Sequence, residues 1–210
     1  MNYAVKEIFY TLQGEGRHAG RPAVFCRFTG CNLWSGLERD RANAACNFCD
    51  TDFVGVDGIG GGKFHSATSL AGAVEQMWGG GDLGRFVVLT GGEPLLQVTD
   101  DLIAALHHRN FEIALETNGT IVVPPGIDWV TVSPKGSTQL RQTTGNELKL
   151  VYPQTGVDPA RFCGLSFDHF LLQPLDGAAH RESVEAAINY CLRNPQWHLS
   201  LQTHKFLGIR

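Results

Sequence analysis

The strongest constraint on the fold is a pattern repeated along the chain: an apolar run, rich in β-branched and aromatic residues, that breaks into polar groups at its C-terminal end. Candidate strands are VKEIFYTL, PAVFCRFTG, RFVVLTG, EIALETNG, WVTVSPK, ELKLVYP, HFLLQPL and HLSLQTHKFLG, and strands two to eight share the pattern. Their ends include Thr90-Gly91-Gly92-Glu93, Glu116-Thr117-Asn118, Ser133-Pro134-Lys135, Gln173-Pro174 and Gln202-Thr203-His204-Lys205. Helices are expected between them at 69–78 with Thr68 as N-cap, at 100–109 with Thr99 in that place, and at 181–193. GVDGIGGGKF and GSTQLRQTTGNE read as loops. This alternation is an α/β pattern. In α/β barrels the active site is assembled at the C-terminal ends of the strands, and a complete eightfold barrel needs about 250 residues. With 210 residues, the expectation is a partial, open TIM-like barrel in a single domain, 1–210. An open doubly wound sheet is the alternative.

Composition narrows the partner. A net charge of -4 gives no basic surface for nucleic acid and no polybasic patch for a membrane. The N-terminal MNYAVKEIFYTLQGEG lacks a charged start followed by an apolar core, and no apolar run approaches 18 residues. A cytoplasmic protein with a small-molecule substrate is the expectation.

Three of the six cysteines, Cys31, Cys46 and Cys49, fall within nineteen residues. The C-x-x-C pair can aim two thiolates at one centre, and Cys31 returns over a loop of fourteen residues. A structural zinc site normally takes four protein ligands, and no fourth Cys or His stands at ligand spacing beside these three. An iron-sulfur cluster held at three irons keeps its fourth iron free to bind something else. A structural zinc knuckle remains the alternative, and a disulfide with one leftover thiol is the weaker one because the cytosol keeps thiols reduced. Cys26, Cys163 and Cys191 have no ligand spacing and read as buried thiols.

Val88-Leu89-Thr90-Gly91-Gly92-Glu93-Pro94 follows a strand and precedes a helix, with Glu93 and Pro94 closing the turn. Alone, a Gly-Gly turn is usually structural. Beside the cysteine triplet it resembles the radical S-adenosylmethionine enzymes, whose Gly-Gly-Glu-Pro segment contacts the amino group of the methionine moiety. Cys31, Cys46 and Cys49 match the cluster ligands of that superfamily, although three residues usually stand where this chain has fourteen. Thr11-Leu12-Gln13-Gly14-Glu15-Gly16, the segment from Phe25 through Cys31 to Trp34, Cys49-Asp50-Thr51, Glu116-Thr117-Asn118-Gly119, Ser133-Pro134-Lys135 and Gln202-Thr203-His204-Lys205 carry a narrower resemblance over most of the chain. They are similar to the 7-carboxy-7-deazaguanine synthase family, some of whose members have an expanded cysteine loop.

The resemblance implies rearrangement of 6-carboxy-5,6,7,8-tetrahydropterin to 7-carboxy-7-deazaguanine with loss of ammonia, toward queuosine and related deazapurines. It implies a 4Fe-4S cluster on Cys31, Cys46 and Cys49, with S-adenosylmethionine cleaved to a 5′-deoxyadenosyl radical that takes hydrogen from the pterin and is then restored as a cofactor. It also implies Mg2+ at Thr51, a homodimer, and an external electron donor such as flavodoxin. By the same match Leu12, Gln13, Gly14, Thr90 and His204 line the pterin, and Arg210 brings a carboxylate to it. Phe48, Cys49, Asp50, Gly92, Ser133, Pro134, Lys135, Gln173, Pro174, Leu175 and Asp176 bind S-adenosylmethionine.

Period-two alternation puts Arg27 with Phe25 on one face of PAVFCRFTG and Cys26 with Phe28 on the other. An inward Arg wants a carboxylate, either the substrate's or an internal one such as Glu15 or Glu116. Glu116 and Asn118 read equally as a satisfied polar rim or as ligand contacts. Two other readings stay open: a related radical enzyme that activates a protein by installing a glycyl radical, and a noncatalytic zinc-binding module.

Overall fold

The computed structural model describes residues 2–136 and 138–210, so Ser137, in the second expected loop, lies outside the described residues. The strands are β1 (Tyr3–Leu12), β2 (Pro22–Phe28), β3 (Gly62–Phe64), β4 (Phe86–Gly91), β5 (Glu112–Thr117), β6 (Trp129–Val132), β7 (Thr144–Tyr152), β8 (Ser166–Pro174) and β9 (Trp197–Leu199). They form one mixed sheet in the order β3-β1-β2-β4-β5-β6-β7-β8-β9. Pairing is antiparallel within β3-β1-β2 and parallel from β2 to β9. The helices are α1 (Ala67–Met77), α2 (Asp100–His107), α3 (His180–Arg193) and α4 (Thr203–Leu207).

The sheet is open, with edges at β3 and β9, yet its two sides meet. In a flat sheet β1 and β9, seven steps apart, would lie about 34 Å from one another at ~4.8 Å per strand. Here the Gly14 carbonyl just beyond β1 accepts from both the backbone N–H and the hydroxyl of Thr203, each at 2.9 Å, and the Gly16 N–H donates to the Ser200 hydroxyl at 2.9 Å. The sheet therefore curls.

Alternation along each strand divides the sheet into two faces. Val24, Cys26, Phe28, Val87, Leu89, Ile113 and Leu115 pack outward against Leu70 and Val74 of α1 and Leu102 and Leu106 of α2. Val132, Leu148, Leu150 and Leu172 do the same with Ala187 of α3 and Trp197. The other face carries Ala23, Phe86, Val88 and Ala114 with Phe25 and Trp129. These close the N-terminal end of the parallel strands, and the polar strand ends lie beyond them. Arg27 shares a face with Phe25, as the alternation predicts.

Several boundaries differ from expectation: β7 and β8 begin at Thr144 and Ser166, each three residues before the expected strands and β7 within the second expected loop. Helix α1 begins earlier because Ser66, not Thr68, caps it: the Ser66 hydroxyl accepts the Ser69 N–H at 3.1 Å, and Ser69 reciprocates on the Ser66 N–H. The expected loop at 55–64 ends in β3, which pairs with β1. The last expected strand is β9 followed by α4, since Ser200 N–H makes the final bond to Leu172 and Thr203 then turns to cap Gly14. The helix at 100–107 keeps Thr99 as its cap, and 180–193 matches expectation within a residue. Of the three remaining cysteines only Cys26 is fully buried; Cys163 and Cys191 are half-buried.

Candidate active site

A cavity of about 580 Å³ opens at the C-terminal ends of the strands. Of the residues individually named from the sequence as cluster, Mg2+, S-adenosylmethionine or pterin ligands, all except Cys31 and Pro134 line it. Pro134 is buried behind it, its carbonyl accepting from Gln154 at 3.2 Å. Cys31 lies at the turn after β2, where its sulfur accepts the Leu33 N–H at 3.4 Å.

Parallel pairing creates this convergence. Each strand delivers its last inward residues to one rim: Arg27 from β2, Thr90 and Gly91 from β4, Glu116 and Thr117 from β5, Gln173 and Pro174 from β8. The turn at Gly91 and Gly92 is forced by proximity. Gly91 adopts φ of 137°, and a Cβ on Gly92 would stand 2.1 Å from the Gly30 carbonyl oxygen and 2.9 Å from Cys31 Cβ. Glu93 is fully buried. Its carboxylate accepts from the Thr117 hydroxyl and the Asn118 N–H, both at 2.8 Å, and from the Leu95 N–H at 3.1 Å. Glu93 thus ties the end of β4 to the end of β5 rather than lining the cavity, and burial holds its carboxyl above the usual range despite those donors.

The fourteen residues between Cys31 and Cys46 fold around Trp34 and Arg41. A 3-10 turn at Glu38–Asn43 places the Arg41 guanidinium 4.1 Å from the centre of the Trp34 ring. From there it donates to the Asn47 and Cys49 carbonyls at 3.1 and 3.0 Å. The loop thereby presents Cys46, Phe48, Cys49, Asp50 and Thr51 to the cavity. None of the three cysteines is in a disulfide. The neighbouring Cys46 thiol, with a backbone hydrogen bond at Thr51 and the Lys135 charge, brings Cys49 down to about 6 in spite of burial. Among the described residues no three His, Cys, Asp or Glu side chains are grouped to hold a single metal ion. A cluster spreads its cysteines over separate irons, and three free soft thiols, one nearly a thiolate, suit that group. Thr51 brings one hydroxyl to the cavity, a sparse set suited to a hard cation that retains waters or substrate oxygens.

Lys135 donates to the Ser133 hydroxyl at 2.7 Å and lies 5.8 Å from the centre of the Phe48 ring, joining the end of β6 to the cysteine loop. Asn118 donates to Asn32 at 2.9 Å and accepts from Thr120, a rim contact. Arg27 has an internal partner, but it is Glu7 on neighbouring β1 at 2.9 Å, not Glu15 or Glu116, because the β1-β2 register sets Glu7 beside it. Glu7 also receives the Arg210 guanidinium at 2.9 Å, while the Arg210 main-chain oxygen accepts from Thr11 at 3.0 Å. His204 packs directly on Gly14, where a Cβ would strike its ring.

Several cavity residues carry contacts to which the sequence assigns no role. Lys205 spans Asp50 at 2.8 Å and Asp176 at 2.5 Å, so α4 clasps the cysteine loop to the end of β8. Gln202 bridges Glu15 at 2.9 Å and Asp50 at 3.2 Å. Lys149, on the inward face of β7, donates to Glu15 and lies 3.6 Å from Glu116. The signal that found Arg27 was present here too: in ELKLVYP, Glu147, Lys149 and Val151 alternate with Leu148, Leu150 and Tyr152. Glu116 also accepts from Gln13 and from the Thr90 hydroxyl, each at 3.2 Å.

No protein-family model matches the chain. Full-length relatives do. A 7-carboxy-7-deazaguanine synthase of Bradyrhizobium diazoefficiens is 62% identical over 210 residues, covering 100% of both chains. Those of Caulobacter vibrioides and Nitratidesulfovibrio vulgaris are 61% and 54% identical, again covering 100% of each chain. Among solved structures, QueE from Escherichia coli superposes with a TM-score of 0.69 at 27% identity, covering 97% of this chain and 95% of that one.

Proposed function

The chain belongs to the 7-carboxy-7-deazaguanine synthase family, and on that premise we propose that it converts 6-carboxy-5,6,7,8-tetrahydropterin to 7-carboxy-7-deazaguanine with release of ammonia. The observation that carries this reading is convergence: cysteines of the long loop, the Gly91-Gly92 turn and the inward polar residues Gln13, Arg27, Thr90 and Glu116 all reach one cavity. Neither an activating enzyme for a protein radical nor a zinc module needs a pocket of that composition.

Cys31, Cys46 and Cys49 would hold a 4Fe-4S cluster, and Thr51 would offer its hydroxyl to Mg2+. With S-adenosylmethionine the cluster would supply a carbon-centred radical able to take hydrogen from the pterin. The chain's own residues bind and orient. Phe48, Cys49, Asp50, Gly92, Ser133, Lys135 and the segment from Gln173 to Asp176 hold S-adenosylmethionine beside the cysteine loop, with Pro134 shaping the turn behind them. Arg27 exchanges Glu7 for the substrate carboxylate, a pairing of the same charge and geometry. Leu12, Gln13, Gly14, Thr90 and His204 enclose the heterocycle, and Arg210 closes the side nearest Glu7. The curled sheet reads as part of a barrel, and an external electron donor such as flavodoxin and a homodimeric state complete the proposal. A cytoplasmic location is part of the proposal, and no helix among the described residues is long and apolar enough to cross a membrane.

Anaerobic purification and activity test the reading. The loaded protein should be brown with broad absorbance near ~400 nm from thiolate-bound iron, and with substrate, S-adenosylmethionine, Mg2+ and reductant it should release ammonia. Stoichiometric zinc without iron would refute the cluster; an intact, reducible cluster with no ammonia release would refute the reaction.

A further inference from the structure

We propose that Lys149 is a positioning residue for this reaction: its ammonium, buried in the cavity wall between Glu15 and Glu116, holds the Glu116 carboxylate as an acceptor for the N–H donors of the bound heterocycle. The inference rests on the proposed function for the identity of that heterocycle and on the side-chain cluster for everything else.

The lysine side chain is 6% exposed and enters the space between two carboxylates delivered by distant parts of the chain. The titratable groups around it are Glu15 from the segment after β1, Glu116 from β5, Glu147 two residues before it on β7, and His204 of α4 beside Glu15. Carboxylates packed together away from water cannot all ionise without a cation among them. The cluster contains its own comparison. Burial alone would raise Glu15, yet the Lys149 charge and hydrogen bond, with Gln202, hold it below its usual value. Glu147 has no hydrogen bond from Lys149; it accepts from Trp129 at 2.7 Å and the Arg17 N–H at 3.1 Å, and burial holds it above its usual value. The ammonium itself stays charged because Glu116 and Glu15 outweigh its desolvation.

Glu116 connects this charge to the cavity. Its oxygens accept from Gln13 and Thr90, both cavity residues, and Gln13 is oriented because its own carbonyl accepts the Glu15 N–H at 3.0 Å. A neutral Glu116 would lose an acceptor and turn a proton toward those donors. The pterin, whose pyrimidinone edge is rich in N–H groups, would then meet donors where it needs acceptors.

The test is equilibrium binding of 6-carboxypterin, a stable oxidised analogue, to the anaerobic holoenzyme with S-adenosylmethionine and Mg2+ between about pH 5.5 and 8.5, above the ordinary range of a carboxylate. Wild-type affinity should be flat over that range. Lys149→Met should bind more weakly and lose about tenfold per pH unit toward acid, the slope for uptake of one proton. Adding Glu15→Gln removes one carboxylate along with the cation, and the double variant should regain a flat profile and most of the affinity. A flat profile in Lys149→Met at any affinity, or a double variant no better than the single, overturns the proposal, because a purely structural lysine would give that result. Should Lys149→Met not fold, the double variant decides alone: a flat profile supports the proposal, and a steep profile or lost binding overturns it. A wild-type holoenzyme that takes up S-adenosylmethionine but neither binds 6-carboxypterin nor releases ammonia overturns the proposed function and this inference with it; failure of the variants beside a competent wild type overturns this inference alone.

Discussion

Gly92→Ala tests how the Gly-Gly-Glu-Pro turn and the cysteine loop depend on one another. The added Cβ would stand 2.1 Å from the Gly30 carbonyl oxygen and 2.6 Å from its carbon, where ordinary contact begins at 3.4 Å. Relief needs a separation of about 1.3 Å. Neither atom belongs to a flexible side chain, and Glu93 N–H is bonded to that same carbonyl at 2.9 Å. The retreat therefore moves Gly30 and, one residue on, Cys31, whose Cβ is already 2.9 Å from the new methyl. Overpacking of this kind costs about 1–3 kcal/mol, or roughly 2–12 °C in Tm for a chain of this size. Calorimetry of the apoprotein reads the first effect. Iron per chain after anaerobic reconstitution reads the second and should fall well below that of wild type, because a cluster does not tolerate a ligand displaced by an ångström. Gly20→Ala is the control, since a Cβ there meets nothing within 4 Å although its φ is positive; it should cost only the backbone strain, about 1 kcal/mol, and leave iron loading unchanged. A Gly92→Ala protein that unfolds within 1 °C of wild type and loads iron fully would refute the reasoning.

Cys49→Ser should abolish the brown chromophore while leaving apoprotein Tm nearly unchanged, since the thiol is only half-buried; retained absorbance near ~400 nm would remove it from the ligand set. Arg27→Met should raise KM for the pterin about 10- to 100-fold, the loss of one charge-assisted pairing worth about 1.5–3 kcal/mol, and an unchanged KM would leave Arg27 as a partner of Glu7 alone. Glu147 carries a raised folded-state pKa from burial, so its contribution is fully present below its unfolded value and is lost as pH rises through the raised one. Glu147→Gln, which mimics the protonated form, should therefore gain Tm relative to wild type as pH rises from about 4.5 upward; a difference that does not vary with pH would contradict this.

Much of the architecture was legible because it depends on local chemistry. Alternation told which face of each strand is apolar, and it placed Arg27 inward beside Phe25. Thr99 announced the start of α2, but the run Ser66-Ala67-Thr68-Ser69 offers three possible caps, and only the reciprocal bonds of Ser66 and Ser69 choose between them. LQTHKFL alternates tolerably as a strand, so the sequence extends the final strand past Leu199, whereas the Gly14 carbonyl, 189 residues away in sequence, draws Thr203 into a helix start.

Spacing and residue type within short segments determined the cysteine triplet, the Gly91-Gly92 turn, the α/β order and most of the residues that line the cavity. Tertiary structure decided the pairings across the curled sheet: Glu7 as the partner of Arg27, Glu93 as a tie between two strand ends, Lys205 as a clasp between Asp50 and Asp176, and Lys149 among carboxylates. The reason is physical. A side chain's type and direction follow from its own strand, but the charge that meets it comes from another part of the chain, an adjacent strand for Arg27 and more distant ones for Lys149, and only the pairing and curling of the sheet bring them together.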